Sequence, residues 1–388
     1  MSRYRRYQEK LPSNNHYYRN NKMRVCLIYN FAQHYRTNIF SLIDQNMDVD
    51  FVFGDKYLNV KKMDYSVLNH SVKEVRNLSF GPFGWQTGVV KLAFKSYDRY
   101  IILSNLSFLS TWLLLILCRL QGKKIFLWTH GWYGKENFMG GIAKKLFYRL
   151  PNGLLLYGKH ARKLMINEGF NAEKLSVVHN SLMYDQQIEI RAQLKSSDVY
   201  TGHFNNKLHN VVFVGRLTPV KKLEMLLEAL YINKQRGFDF NITFIGDGSE
   251  ADNLKNMANG MALEANVWFY GPTYDEKELS QLLFNADLCV APGNIGLTAM
   301  HAMVYGCPCM SHNDFKWQMP EFESIKPSVT GAFFNHDDVE SLAIAIHEWF
   351  VENGNKREEI RKNCYSEIEE QWNPHVQLEI IKKTIGYA

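Results

Sequence analysis

Short apolar runs rich in Val, Ile, Leu and Phe return along this chain, each followed by a segment of helical period. This alternation constrains the fold more than any other feature. In the first half the runs are RVCLIYN (24–30), VDFVF (49–53), RYIIL (99–103), KIFLWT (124–129), GLLLYG (153–158) and LSVVHN (175–180), with predicted helices at 37–45, 84–96, 106–120, 137–149 and 159–168. In the second half they are NVVFVG (210–215), NITFIG (241–246), NVWFYG (266–271), DLCVAP (287–292) and CPCMS (307–311), with helices near 221–236, 249–260, 275–285, 297–305 and 338–353. Strands that are apolar throughout bury both faces, and the helices between them supply the cover, so each series reads as a parallel, doubly wound sheet. A polar stretch, RAQLKSSDVYTGHFNNK, separates the two series. The expectation is an α/β protein with two Rossmann-like domains, 23–190 and 209–371, a linker at 191–208, a tail at 1–22 and a terminal segment at 372–388.

The bulk properties agree with that outline. The chain has 388 residues, enough for two cores, with 46% hydrophobic and 22% charged residues, which is the globular range. Lys and Arg exceed Asp and Glu by 45 to 39, a net charge of +6. That excess suits an anionic ligand or an acidic membrane surface and does not call for nucleic acid. The six cysteines are scattered, four of them in or beside apolar runs, and read as reduced core residues of a cytoplasmic protein. Cys307 and Cys309 form one close pair without a second to complete a metal site. The N-terminal MSRYRRYQEKLPSNNHYYRNNKMR lacks the apolar core of a signal peptide. It is basic and Tyr-rich, and reads either as a poorly ordered tail or as a patch for anionic lipid headgroups. The stretch YIILSNLSFLSTWLLLILC (100–118) is interrupted by Ser104, Asn105, Ser107 and Ser110, so a strand and a buried helix are expected in place of a membrane span.

In doubly wound sheets, ligands bind beyond the carboxyl ends of the strands. Three such loops stand out in the second half. In VGRLTPVKKLEMLLEAL a strand ends at Gly215, followed by Arg216, Lys221 and Lys222 at a helix start, a combination suited to a diphosphate. The alternative for this loop alone is exposed basic residues on a solvated turn. FIGDGSEADNL is a glycine turn in which Asp247 or Ser249 caps the next helix. In APGNIGLTAMHAM (291–303) the backbone from Gly293 through Asn294, Ile295, Gly296 and Leu297 to Thr298 offers N–H groups to an anion.

These segments, in this order and together with VWFYGPTYDEKELSQLLFNADLCVAP, GLTAMHAMVYGCPC and KLSVVHNSLMYD, resemble the family 4 glycosyltransferases of the GT-B fold. The resemblance implies two Rossmann-like domains facing across a cleft, a nucleotide-diphosphate sugar on the C-terminal domain and an acceptor on the N-terminal one. It makes Arg216 and Lys221 the pair that neutralises the donor diphosphate, and His130, in WTHGW (128–132), the residue beside the transferred sugar; the alternative for His130 is a turn cap between two tryptophans. It sets Tyr270, Gly271 and Thr273 beside the nucleobase, and Asn30, Arg36 and Trp132 on the acceptor side. Among the other aromatics, Trp85, Trp128 and Tyr133 are candidates for that side, and Trp112 reads as core. The resemblance also implies retention of configuration and no metal or cofactor beyond the nucleotide-sugar co-substrate, whose base stays open. The acceptor would be a glycan or a lipid-linked species in surface polysaccharide or lipopolysaccharide assembly at the inner face of the cell membrane. The segment 370–386 would cross back to the first domain.

One departure stands out. The two glutamates that the family usually carries seven residues apart fall here on Gly293 and His301. Their replacements are sought in Asn294, His301, Glu321 and Glu323, the last two in WQMPEFESI. Two rival readings follow, a non-catalytic GT-B binding partner and a sugar-nucleotide epimerase or hydrolase. The latter would need cleft carboxylates that these loops largely lack.

Overall fold

The computed structural model describes residues 23–56 and 60–387, so the basic N-terminal patch lies outside the described residues. Nine strands fall in the first half: β1 (Arg24–Tyr29), β2 (Asp48–Gly54), β3 (Val72–Val75), β4 (Asn77–Phe80), β5 (Phe83–Gln86), β6 (Arg99–Leu103), β7 (Lys124–Thr129), β8 (Gly153–Leu156) and β9 (Leu175–Val177). Seven of them form a parallel sheet in the order β3-β2-β1-β6-β7-β8-β9. The period of two shows directly in β1. Val25, Leu27 and Tyr29 enter one core with Phe40 and Ile43, while Cys26 and Ile28 enter another with Leu114 and Phe147 on the opposite face.

The second half holds β10 (His209–Val214), β11 (Phe240–Ile245), β12 (Val267–Gly271), β13 (Leu288–Ala291), β14 (Cys309–His312) and β15 (Gly331–Phe334). They make a six-stranded parallel sheet in the order β12-β11-β10-β13-β14-β15. In both sheets the connectivity reverses beside the first strand, between β1 and β6 and between β10 and β13. These two places are where an open α/β sheet leaves a crevice.

Several expected elements are different in the structure. The helix expected at 84–96 is absent: β4 and β5 pair as an antiparallel hairpin, followed by a 3-10 turn at Val89–Phe94. Pro82 at the turn, and Gly84 and Gly88 beyond it, supply no helical period and disfavour propagation. The polar stretch between the halves is folded, with helices Tyr184–Arg191 and Val199–Phe204. Tyr200 is buried there in the C-terminal core, its hydroxyl donating to the Leu282 carbonyl at 2.8 Å. A helix at Arg357–Gln371 and the short strands β3 and β15 are also present beyond those expected.

No helix among the described residues is long and apolar enough to cross a membrane. The stretch 100–118 divides into β6 and helix Leu109–Leu120. That helix is covered on one side only: Leu114, Leu115 and Cys118 are buried, whereas Leu109, Leu113, Ile116 and Leu120 are exposed.

The last helix, Pro374–Ile385, starts where the Asn373 side chain accepts from the His375 and Val376 N–H groups. It lies on the N-terminal domain, with Leu378, Ile381 and Ile385 in the core of helix Thr37–Asn46. Arg99 Nε donates to the Ile385 carbonyl at 2.8 Å, and Gln377 Nε2 donates to the His179 carbonyl at 2.7 Å. Truncating Ile381, which is fully buried, to Ala should cost about 2–4 kcal/mol in urea unfolding. Deleting residues 372–388 should cost more, and an unchanged midpoint for the deletion would contradict this packing.

Candidate functional site

The loops after β10 and β13 meet at the switch point of the C-terminal sheet. Lys221 ends a 3-10 turn, Pro219–Lys221, and its ammonium donates to both the backbone carbonyl (2.7 Å) and the Oδ1 (2.8 Å) of Asn294. Burial lowers its pKa to about 8; nearby Glu321 opposes the shift and Arg216 adds to it. Arg216 is exposed at the mouth of the same loop and has no hydrogen bond or ion pair among the described residues. Two cations, one held by an amide and one free, therefore stand together at this strand end.

The glycine of the β13 loop has a structural cause. A Cβ at Gly293 would sit 2.0 Å from the Val220 carbonyl oxygen, and its N–H donates to the Lys221 carbonyl at 2.8 Å. Gly293 thus lets the Lys221 turn lie against the β13 loop; its lack of a side chain is used by protein backbone and not by an incoming ligand. Asn294 is likewise committed to Lys221. Ile295 is buried and its N–H donates to Gln318 Oε1 at 3.0 Å, while Thr298 Oγ1 donates to the Val214 carbonyl at 2.8 Å. The N–H groups of Gly296 and Leu297 have no partner among the described residues. Of the N–H groups this run offers, loop packing takes those of Gly293 and Ile295, and those of Asn294 and Thr298 are, like those of Gly296 and Leu297, without a partner among the described residues.

Facing this loop is the N-terminal domain. Arg36, buried to 6% exposure, donates from Nη2 to the Tyr157 hydroxyl at 2.7 Å and lies over the Trp128 and Tyr157 rings. The ring of His130 packs 4.6 Å from that of Tyr157. Burial, with the charges of Arg36 and Lys144, lowers the His130 pKa to about 4, so the imidazole is neutral at ordinary pH. Between the domains stands Glu321, which is 1% exposed and accepts from Asn180 Nδ2 at 2.6 Å. Burial raises its pKa, against the pull of Asn180, Arg36 and Lys221. Arg36 Nη1, His130 Nδ1, His301 Nδ1, Glu321 Oε2, Asn30 Oδ1 and Gln33 Oε1 are buried without a hydrogen-bond partner. Such groups are costly to bury, and Arg36 stands near enough to His130 and Glu321 to shift both, so three of them gather where the two domains face each other.

The other candidates separate. Glu323 reaches across to the first domain, where its two oxygens accept from the Lys159 and His160 N–H groups, each at 2.7 Å, at the start of helix Lys159–Asn167. It closes a helix end and is not free to serve a sugar. Trp132 is 6% exposed and packs in the N-terminal core beside Gly141 and Phe170, with one edge on the crevice that His130 also lines. Trp112 and Trp128 are core as well. Asn30 holds the loop after β1, its carbonyl accepting from Asn77 Nδ2 at 2.6 Å. Tyr270 and Thr273 both donate to Glu278, which ties the loop after β12, with Gly271 at its start, to helix Glu276–Asn285. Burial lowers the His301 pKa, as does His34; Glu276 opposes them. Gly215 directly follows β10 with φ +143°. Sequence reasoning missed Tyr157 and Gln318. The former stands at the end of an apolar run; the latter, which also donates to Ser311 and His312, sits in a loop without period. Neither position carries a local signal.

Residues 202–367 match the family model described as glycosyl transferases group 1. Two solved structures superpose on nearly the whole chain. One is a lipopolysaccharide outer core galactosyltransferase, WaaB (15% identity, 94% of this chain and 99% of that one, TM-score 0.69). The other is HepE of Anabaena in complex with UDP (17% identity, 94% and 100%, TM-score 0.69). The fold is GT-B. Among curated relatives, an uncharacterised 41.2 kDa protein of the cps region of Klebsiella pneumoniae is 27% identical over 195 residues, 48% of this chain and 50% of that protein. The chain spans half or less of the length of the curated relatives it matches. Seen as a GT-B protein, the Lys221 loop and the His130 loop stand on opposite halves of one cleft.

If Gly293 is required by backbone contact, Gly293→Ala should destabilise by about 2–3 kcal/mol. Gly296→Ala, with φ +52° and no neighbour nearer than 3.7 Å, should cost only the left-handed backbone term of about 1 kcal/mol. Thermal melts of the two variants provide the comparison, and equal losses would refute the packing account.

Proposed function

We propose that this protein transfers a sugar from a nucleotide-diphosphate donor to a hydroxyl acceptor, as a family 4-type glycosyltransferase in which Gly293 and His301 stand at the usual glutamate positions. The observation that carries this reading is the proximity of Lys221 and Arg216 at the switch point of the GT-B C-terminal domain, opposite His130 Nδ1, Arg36 Nη1 and Glu321 Oε2, which are buried without a hydrogen-bond partner. The group 1 family match and a relative bound to UDP support a nucleotide-sugar donor.

In this reading the two cations stabilise the charge that builds on the diphosphate as the sugar–phosphate bond breaks, a contribution of several kcal/mol in a dry cleft. Neutral His130 offers one ring nitrogen to a sugar hydroxyl. Glu321, with Oε2 free and two cations nearby, replaces the carboxylate missing at Gly293, and His301 meets the ribose. Retention of configuration and independence of metals come with the family resemblance, in which the leaving phosphate takes the acceptor's proton. The acceptor is a glycan or lipid-linked species of surface polysaccharide assembly, and the cytoplasmic setting suits six free, buried cysteines.

A second reading has one observation behind it. Asn294, the nearest substitute for the lost glutamate, is already occupied by Lys221. A chain that binds a nucleotide and transfers nothing would tolerate that.

Calorimetric titration with UDP, GDP, dTDP and CMP should find one tight ligand, lost at least about tenfold in the Arg216→Ala/Lys221→Ala variant. Product analysis with the matching sugar nucleotide then separates transfer from binding alone. Failure of all four ligands to bind would overturn the donor site. Because Lys221 has a pKa of about 8 in the free protein, the protonated form that binds an anion predominates below that pH. Affinity should be level below about pH 7 and fall by up to about tenfold per unit above pH 8. A flat profile to about pH 9.5 would remove Lys221 from the contact.

A further inference from the structure

Two neighbouring helices of the N-terminal domain carry apolar stripes that face away from the protein. On helix Leu109–Leu120 the exposed residues are Leu109, Leu113, Ile116 and Leu120, spaced as one helical face and opposite the buried Leu114, Leu115 and Cys118. On helix Phe138–Arg149 they are Phe138, Met139, Ile142 and Leu146, with Phe138 82% and Met139 80% exposed. The helices touch through Trp112 and Phe147, whose rings are 4.7 Å apart, and through Arg119 Nη1, which donates to the Leu150 carbonyl at 2.9 Å. The stripes therefore lie side by side on one face of the sheet. The β4–β5 hairpin extends the same apolar border with exposed Phe80 and Phe83. Contiguous apolar surface of this kind is uncommon on a protein with nothing to cover it.

The charge around it has one sign. Between residues 76 and 149 the sequence has eleven Lys and Arg against two acids, Asp98 and Glu136, whereas outside this segment acidic residues outnumber basic ones. Glu136 is already paired with Lys144 at 2.6 Å, and Glu168, which reaches the same edge from the next helix, is paired with Lys145 at 2.6 Å. Just past Leu120, where the first stripe ends, Arg119, Lys123 and Lys124 line a cavity of about 330 Å³. The Lys124 ammonium has no partner among the described residues. At the other end, Phe138 and Met139 follow the loop that holds His130 and Tyr133, so the stripes run from the basic cavity up to the mouth of the cleft.

We infer that this face docks on an anionic lipid bilayer, the two helices lying in the plane of the interface with their apolar stripes among the acyl chains and the basic rim on lipid phosphates. A second copy fits less well. A two-fold interface would set the positive rim against itself, and like charges oppose that pairing. A surface of anionic headgroups neutralises the rim and accepts the apolar residues together. The attachment uses neither Lys221 nor Arg216, so it stands or falls separately from the donor site.

The test is sedimentation of the full-length protein with phosphatidylcholine vesicles and with vesicles containing about 30% phosphatidylglycerol. The wild type should pellet with the anionic vesicles and not with the neutral ones. Phe138→Ser/Met139→Ser/Leu146→Ser and Lys124→Glu should each weaken that partition by about tenfold or more, with unchanged melting and unchanged nucleotide binding. The basic residues before position 23 remain in every variant, so loss reports on the helices and not on the tail. Absence of pelleting by the wild type, or pelleting of both variants like the wild type, would overturn the inference. So would a wild-type dimer in sedimentation velocity that the serine variant converts to monomer, since a second copy would then cover the stripes.

Discussion

A parallel strand in a doubly wound sheet leaves neither face to water, and the architecture of this chain follows from that constraint. Each strand must be apolar on both sides, each connection must carry a helix back over the sheet, and each helix begins near the carboxyl ends of the strands. All ligand-facing loops are thereby gathered at one edge of each domain. Once Pro374–Ile385 returns to the first core with Leu378, Ile381 and Ile385, the two edges are held face to face. The cleft is thus a consequence of burying apolar strands, before any residue in it is chosen for chemistry.

The seam between the domains is polar and tightly partnered. Glu321 takes Asn180, Glu323 takes two amides of an N-domain helix, and Gln377 joins Ser181 to the His179 carbonyl. Gly158 has no Cβ where one would collide with Glu323 at 2.3 Å. Hydrogen bonds of this kind fix geometry more than they add stability. Their work here is to hold Lys221 and Arg216 opposite His130 and Arg36 with several polar atoms unmet.

Much of this was legible in the chain. Strands such as KIFLWT and NITFIG carry an apolar signal strong enough to be found without context, whereas the basic loop after β10, which alone could be a solvated turn, pointed to an anion only together with the loops beside it. The failures have local causes. The helix expected over 84–96 does not form, because Pro82, Gly84 and Gly88 disfavour helix propagation and a hairpin takes the start of the segment. Glu323 and Glu321 look alike in MPEFESI, and only the fold points one at a helix end and leaves the other with a free oxygen in the cleft. Gly293 invited a ligand-based explanation, although the Val220 carbonyl is what approaches it. Tyr157, which receives the Arg36 hydrogen bond, was indistinguishable from the other residues of an apolar strand.

By itself, then, the sequence determined the two α/β layers and the placing of Arg216 and Lys221 in one strand-to-helix loop, because periodicity and short-range order are written in neighbouring residues. Tertiary structure alone decided which face of helix Leu109–Leu120 is covered, which glutamate caps a helix end and which keeps one oxygen without a partner, and which side chain keeps Lys221 in place. Those outcomes depend on contacts between residues far apart in the chain, such as Asn180 with Glu321, and no local pattern records a distance across a cleft.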